Sequence, residues 1–252
     1  MIGRIQFPYR TVRGYQSLPW SGYWAPNFPG GTYPNSIWYP TPSNNGGISG
    51  SNGAIIAGAT APTLGTALAG FTPAHFGSGA GAELTSDVNN TPIKEMSDYV
   101  GTTAGGIIAM FNSSALGNFA TGNTYDDTPI VIDGNGDFGL TFNSLGMAGF
   151  AYDGSYKITA SISFSISAWH IVMLAYNGTT LSVQIDSGTA KTVSCGTITV
   201  LTGEVLMGLG YAQLHNFAGD IMEFGFFKGY TPTSTDYANY KSYVNSTYSL
   251  SL

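Results

Sequence analysis

AWHIVMLAYNGTTLSVQIDSGTAK, residues Ala168 to Lys191, is the stretch whose reading decides the fold. In its second half Leu181, Val183 and Ile185 alternate with Ser182, Gln184 and Asp186. A period of two puts the apolar set on one face of a strand and the polar set on the other. Before it runs the apolar stretch His170 to Tyr176, and Asn177-Gly178 between them accepts the positive φ of a tight hairpin turn. These residues alone predict two antiparallel strands.

The same texture continues in both directions. Short apolar stretches bounded by turn residues predict strands at Gly105 to Phe111, Pro129 to Asp133, Phe138 to Asn143, Ser155 to Ser161, Glu204 to Tyr211 and Gly219 to Phe227. No helical period is sustained until the end of the chain. There Thr235 to Asn245 predicts one helix, with Ser234 or Thr233 as its cap and Tyr237, Tyr240 and Val244 as its buried stripe. Many short strands and one late helix make an all-β sandwich or barrel.

Composition narrows the function. Charged residues are only 9% of the 252, while Gly (35), Tyr (16) and Phe (14) are abundant, and the formal charge is −6. Apolar content of 43% at so modest a charge belongs to a folded chain. The single Cys195 excludes a disulfide framework within the chain and a multi-cysteine zinc site. MIGRIQFPYRTVRGYQS has no apolar core of a secretory signal, and the apolar run Ile55 to Phe71 is broken by Pro62 and three glycines. No membrane partner is expected. A pI near 4.7 makes a poor phosphate-tracking surface, so no nucleic-acid partner is expected either.

Charge and aromatic residues divide the chain at about residue 45. Arg4, Arg10 and Arg13 are its only arginines, and no acidic residue precedes Glu83. Trp20, Trp24 and Trp38 fall among Pro8, Pro19, Pro26, Pro29, Pro34 and Pro40. Proline at this density forbids helix and central strand, so residues 1–45 are read as an extended arm and 46–252 as the sandwich. Large rings left in water would be costly, so the arm is expected to dock on neighbouring chains. Arg4, Arg10, Arg13, Trp20, Trp24 and Trp38 are its candidate partner-binding residues.

From Ala168 to Asn245 the chain resembles the laminin-G-like/concanavalin-A-like jelly-roll superfamily, in the form found in bacteriophage structural proteins. The carriers are Trp169-His170 before an apolar strand, the Asn177-Gly178 hairpin, a strand ending in Asp186-Ser187-Gly188, EVLMGLGY, and Gly219-Asp220-Ile221-Met222-Glu223 leading to the final helix. The Asp-to-Gly turn is one residue longer than is usual in that family. The likeness is weaker from Gly46 to Ser167 and does not cover the arm. It implies a two-sheet antiparallel jelly roll, and a virion component that decorates a capsid or serves a tail or fibre. Such a component is expected to contact other virion proteins and its own copies. The alternative it implies is a carbohydrate- or receptor-binding module for host attachment, with a glycoside hydrolase as a third reading.

Candidate chemistry is sparse. A retaining glycosidase needs two carboxyls about 5 to 5.5 Å apart. The nearest acids are Glu95 with Asp98, Asp126 with Asp127, and Asp220 with Glu223; an odd separation along a strand puts two residues on opposite faces, so no catalytic residue is assigned. Asp220 and Glu223 are instead read as surface positions. In DGNGDFG, Asp133, Asn135 and Asp137 alternate as in a calcium loop, but the sixth-position glycine and terminal glutamate of an EF-hand are missing. A tight turn is the expectation there, with no cofactor and calcium as the alternative. His170 is read as a hydrogen-bonded structural residue. Tyr211, Gln213, His215 and Asn216 form a polar loop that could serve as a sugar-binding rim.

Overall fold

The computed structural model describes residues 62–77, 80–84, 95–116, 128–198, 201–208 and 216–252, together with the backbone of 36–38 and 53–55. Its strands are β1 (Ser36–Trp38), β2 (Gly53–Ile55), β3 (Thr63–Leu64), β4 (Ala74–Phe76), β5 (Ala82–Leu84), β6 (Gly105–Ser113), β7 (Thr128–Asp133), β8 (Phe138–Asn143), β9 (Gly146–Tyr152), β10 (Tyr156–Ile158), β11 (Trp169–Tyr176), β12 (Thr180–Ile185), β13 (Lys191–Ser194), β14 (Val205–Met207) and β15 (Gly219–Lys228). Helix α1 (Ser234–Tyr248) closes the chain. All strand pairs are antiparallel. One sheet has the order β13-β12-β11-β6-β15-β4-β3 with β1 also beside β15; the other has β10-β9-β8-β7-β14-β5-β2. This is the two-sheet jelly roll of the laminin-G/concanavalin type.

The central hairpin forms as its alternation predicts. Val172 pairs with Ile185 and Tyr176 with Leu181, and Leu181, Val183 and Ile185 enter the core between the sheets. The turn is built locally: Gly178 has φ 86°, and Asn177 Oδ1 accepts from the N–H groups of Thr179 (3.0 Å) and Thr180 (2.8 Å). Phe111, Phe138, Leu140, Phe142, Val172, Leu174 and Phe224 fill the space between the sheets.

A third layer lies on the eight-stranded sheet. Helix α1 begins at Thr233, whose hydroxyl accepts from Asp236 N–H while the Asp236 carboxylate accepts from Thr233 N–H, a complete capping box. Its buried side chains Tyr237, Tyr240, Tyr243, Val244 and Tyr248 pack on Ile108, Met110, Ile171, Met173, Met222 and Phe227. Strand β6 is therefore covered on both faces, which is why it is a continuous apolar run with no alternation. A smaller buried cluster, Ile132, Phe150 and Leu206, lies on the outer face of the seven-stranded sheet.

Three departures from the sequence reading bear on the architecture. Strand β9 was not predicted: GMAGFAY is buried on both faces, so it lacks the alternation that marks a strand. The predicted strands at Ser155 and Glu204 shorten to β10 and β14, the latter ending just before Gly208, which has φ 74°. The third concerns Trp38, expected to leave the sandwich for a neighbouring chain. The backbone of β1 instead pairs with β15, Trp38 opposite Phe224. Strand β4 pairs only with Gly219 to Ile221 on that edge, so the peptide groups farther along β15 still require partners, and β1 supplies them. Arg4, Arg10, Arg13, Trp20 and Trp24 lie outside the described residues.

Candidate functional site

Hairpin register brings His170 and Asp186 together although sixteen residues separate them. His170 Nδ1 lies 2.6 Å from Asp186 Oδ2, and Asp186 Oδ1 accepts from Ile171 N–H at 3.0 Å. Ser165 Oγ stands 3.4 Å from His170 Nε2, which gives the outline of a Ser-His-Asp set. The outline misleads, because Nε2 donates to the Ser165 carbonyl at 2.7 Å and has no lone pair with which to take a hydroxyl proton. Burial alone would lower the imidazole pKa; the Asp186 carboxylate and the Ser165 carbonyl outweigh it and raise it. The side chain is 6% exposed, a hydrogen-bonded structural residue as the sequence predicts. Asp186→Asn keeps a residue that tolerates φ 47° yet removes the countercharge. A loss of about 2–3 kcal/mol is expected at pH 6, measured by chemical denaturation. An unchanged midpoint would show that the pair contributes nothing.

The acidic pairs do not form a hydrolytic site among the described residues. Glu95 and Asp98 flank a single 3-10 turn and are exposed; Asp126 and Asp127 lie outside the described residues. Asp220 and Glu223 do share a face, because a bulge between Ile221 and Glu223 inserts Met222 and resets the alternation. Glu223 is nevertheless no surface residue: it is 0% exposed beneath α1. Tyr248 donates to its Oε2, with the Tyr243 hydroxyl at 3.4 Å, and Oε1 has no partner. Burial pushes its carboxyl up to about 8, against the pull of the tyrosine hydroxyls. An acid sealed in this way cannot meet a substrate.

The DGNGDFG segment forms the tight turn. Asp133 is fully buried; its Oδ1 accepts from Asn135 N–H (2.8 Å) and its Oδ2 from Gly203 N–H (3.1 Å). Asn135 turns its amide toward Thr202 (3.4 Å), away from Asp133, and Gly136 takes φ 77°. Burial raises the Asp133 carboxyl to about 7, with the nearby Asp137 charge acting in the same direction and the backbone donors against it. The described residues hold no cluster of three His, Cys, Asp or Glu side chains that would suit a metal ion. Thermal melts in millimolar calcium and in chelator are expected to superpose; a rise in Tm with calcium would overturn the reading of this segment as a plain turn only if Asp137→Asn removed the rise.

Of the predicted rim, Tyr211, Gln213 and His215 lie outside the described residues. Asn216 is half-buried, its Oδ1 without a partner. A different constellation, missed in the sequence, crosses the helix-bearing face of the eight-stranded sheet. Thr63 pairs with His75, His75 with Asp220, Asp220 with Asn112, and Asn112 with Trp169. The chain neighbours of these residues, Ala74, Phe76, Ile221 and Phe111, point into the core between the sheets, so the row points the other way. His75 is 46% exposed and its Nδ1 lies 2.8 Å from Asp220 Oδ1; Asp220 is 20% exposed. Trp169 is half-buried and packs against the margin of the cluster under α1, keeping part of its surface open.

The class defined by this architecture is a laminin-G/concanavalin-type jelly roll carrying an open polar and aromatic row. No family model matches the sequence, and no curated protein matches it. Solved structures share the fold. The binding domain of Paraclostridial Mosquitocidal Protein 1 is similar over 83% of this chain and 52% of its own, at 10% identity and TM-score 0.57. The binding domain of Botulinum Neurotoxin DC, in complex with SialylT, is similar over 84% and 50%, at 13% identity and TM-score 0.56. Domain 4 of AbnA, a GH43 extracellular arabinanase from Geobacillus stearothermophilus, in complex with arabinotriose, is similar over 83% and 89%, at 14% identity and TM-score 0.51. The chain thus spans about half the length of the two toxin domains. At these identities the likeness is one of fold.

Proposed function

We propose that this chain is a non-enzymatic binding module for carbohydrate, acting in receptor or host-surface attachment. The observation that carries the reading is the open row His75, Asp220, Asn112 and Trp169, which offers hydroxyl-binding polar groups beside an indole. What supports the non-enzymatic part is the geometry of the acids, with Glu223 sealed and the His170 nitrogens both occupied. Domains of the same fold with arabinotriose or SialylT bound give the reading a precedent. Carriage on a virus particle, with residues 1–45 meeting other virion proteins through Arg4, Arg10, Arg13, Trp20 and Trp24, is part of the proposal. It rests on the sequence resemblance and on the uneven distribution of arginine and tryptophan. Recovery of the chain from purified particles checks that part. A glycan-array screen of the full chain, followed by incubation with each bound glycan, tests the module itself. Reproducible binding with no new reducing ends is expected; absence of any bound glycan, or steady release of reducing sugar, would overturn the reading.

A further inference from the structure

We infer that the ligand is a neutral oligosaccharide lying across the strands, along the row from His75 to Trp169 on the helix-bearing face of the eight-stranded sheet. This rests on the carbohydrate-binding reading and assigns its site to that row instead of the Tyr211 to Asn216 loop.

Length comes first. The row crosses β4, β15, β6 and β11, and three spacings between neighbouring strands make about 14 Å. That is room for a di- or trisaccharide, not for one sugar alone. Chemistry runs along it in order. Asp220 gives one carboxylate oxygen to His75, and its second oxygen has no partner among the described residues. The Asn112 amide and the Trp169 indole N–H likewise have no hydrogen-bond partner among the described residues. A carboxylate beside an amide presents acceptors and a donor at neighbouring positions, the pattern that fits adjacent sugar hydroxyls. The indole ends the row with a surface for the C–H face of a ring.

Space and charge complete the argument. A Cβ on Gly65 would stand 2.5 Å from Asp220 Oδ1, so the glycine leaves the carboxylate its room. The row contains one carboxylate and neither Lys nor Arg, in a chain of net charge −6. An anionic sugar would meet the Asp220 carboxylate with no Lys or Arg in the row to offset it, whereas hydroxyls of a neutral sugar find partners. The C-terminal end of α1 bounds the row, since Tyr248 reaches Glu223, three residues beyond Asp220 on β15.

The test titrates the full chain with arabinotriose, cellotriose, maltotriose and mannotriose as neutral probes and with 3′-sialyllactose as the anionic one. Saturable binding of a neutral probe is expected, weakened at least tenfold by Asp220→Ala and by Asn112→Ala and unchanged by Tyr211→Ala. Trp169 also packs against the helix cluster, so Trp169→Leu is read beside its melting temperature, and the two polar variants decide the case if it fails to fold. Binding that survives both polar variants and is lost in Tyr211→Ala would overturn the row and leave the carbohydrate reading standing. Binding confined to 3′-sialyllactose would overturn the neutral class. No binding of any probe, together with an empty glycan array, would remove the carbohydrate reading and this inference with it.

Discussion

Unfolding at pH 8 is expected to need markedly less denaturant than at pH 5, and Glu223→Gln is expected to remove the largest single part of that difference. In the unfolded chain the Glu223 carboxyl titrates near its ordinary 4.5; in the fold, burial moves it to about 8. Between those values the native state holds a proton that the unfolded state has released, so stability falls as pH rises, by about 1.4 kcal/mol per pH unit. Across the window the loss is on the order of 3–5 kcal/mol. Two further groups act with the same sign. Asp133, raised to about 7, loses its contribution between 3.8 and 7, and the His170 pair loses its own as pH rises through the raised imidazole pKa. The wild type therefore has its maximum on the acidic side of neutrality. Glutamine stays neutral at every pH, so the variant is expected to match wild type near pH 4.5 and exceed it at pH 8. Parallel stability profiles for the two proteins would show that Glu223 ionises without cost and that the tyrosine pocket is wetter than its burial implies.

Gly219→Ala is expected to destabilise by on the order of 3–5 kcal/mol, while Gly70→Ala costs only about 1–2 kcal/mol. Both glycines have positive φ, 152° and 88°. The difference is what surrounds them. A Cβ at Gly219 would stand 2.1 Å from the Asn112 carbonyl oxygen and 2.9 Å from Ser113 Cα, backbone atoms of the paired β6 that cannot withdraw without breaking the ladder. At Gly70, in the turn between Leu68 and Phe71, a Cβ meets nothing within 4 Å, and only backbone strain is left. Denaturant midpoints of the two variants measure the contrast directly. Equal losses would mean that strand β15 enters the sheet differently. The position also gives a physical reason for the glycine that opens the Gly219 to Glu223 motif: it begins a central strand where another main chain lies too close for any side chain.

What could be read along the chain was whatever local physics decides. The Asn177-Gly178 turn, the alternation of β12 and the cap of α1 each depend on residues within a few positions, and all three formed as predicted. The all-β sandwich-or-barrel class follows from them, because strands and one helix of this kind have few ways to bury their apolar faces, and the family resemblance narrowed it to the jelly roll. The site was not legible in that way. Thr63, His75, Asn112, Trp169 and Asp220 are dispersed over most of the chain, and only strand order and register set them side by side. Glu223 reads as a surface residue until a one-residue bulge turns it toward the helix and three tyrosines close over it. Trp38 reads as part of a departing arm until the unpaired edge of β15 offers its backbone a ladder. In each case local pattern set the element, and its neighbours set the chemistry. Burial and cross-strand contact are properties of pairs of distant residues, which no single stretch of sequence contains.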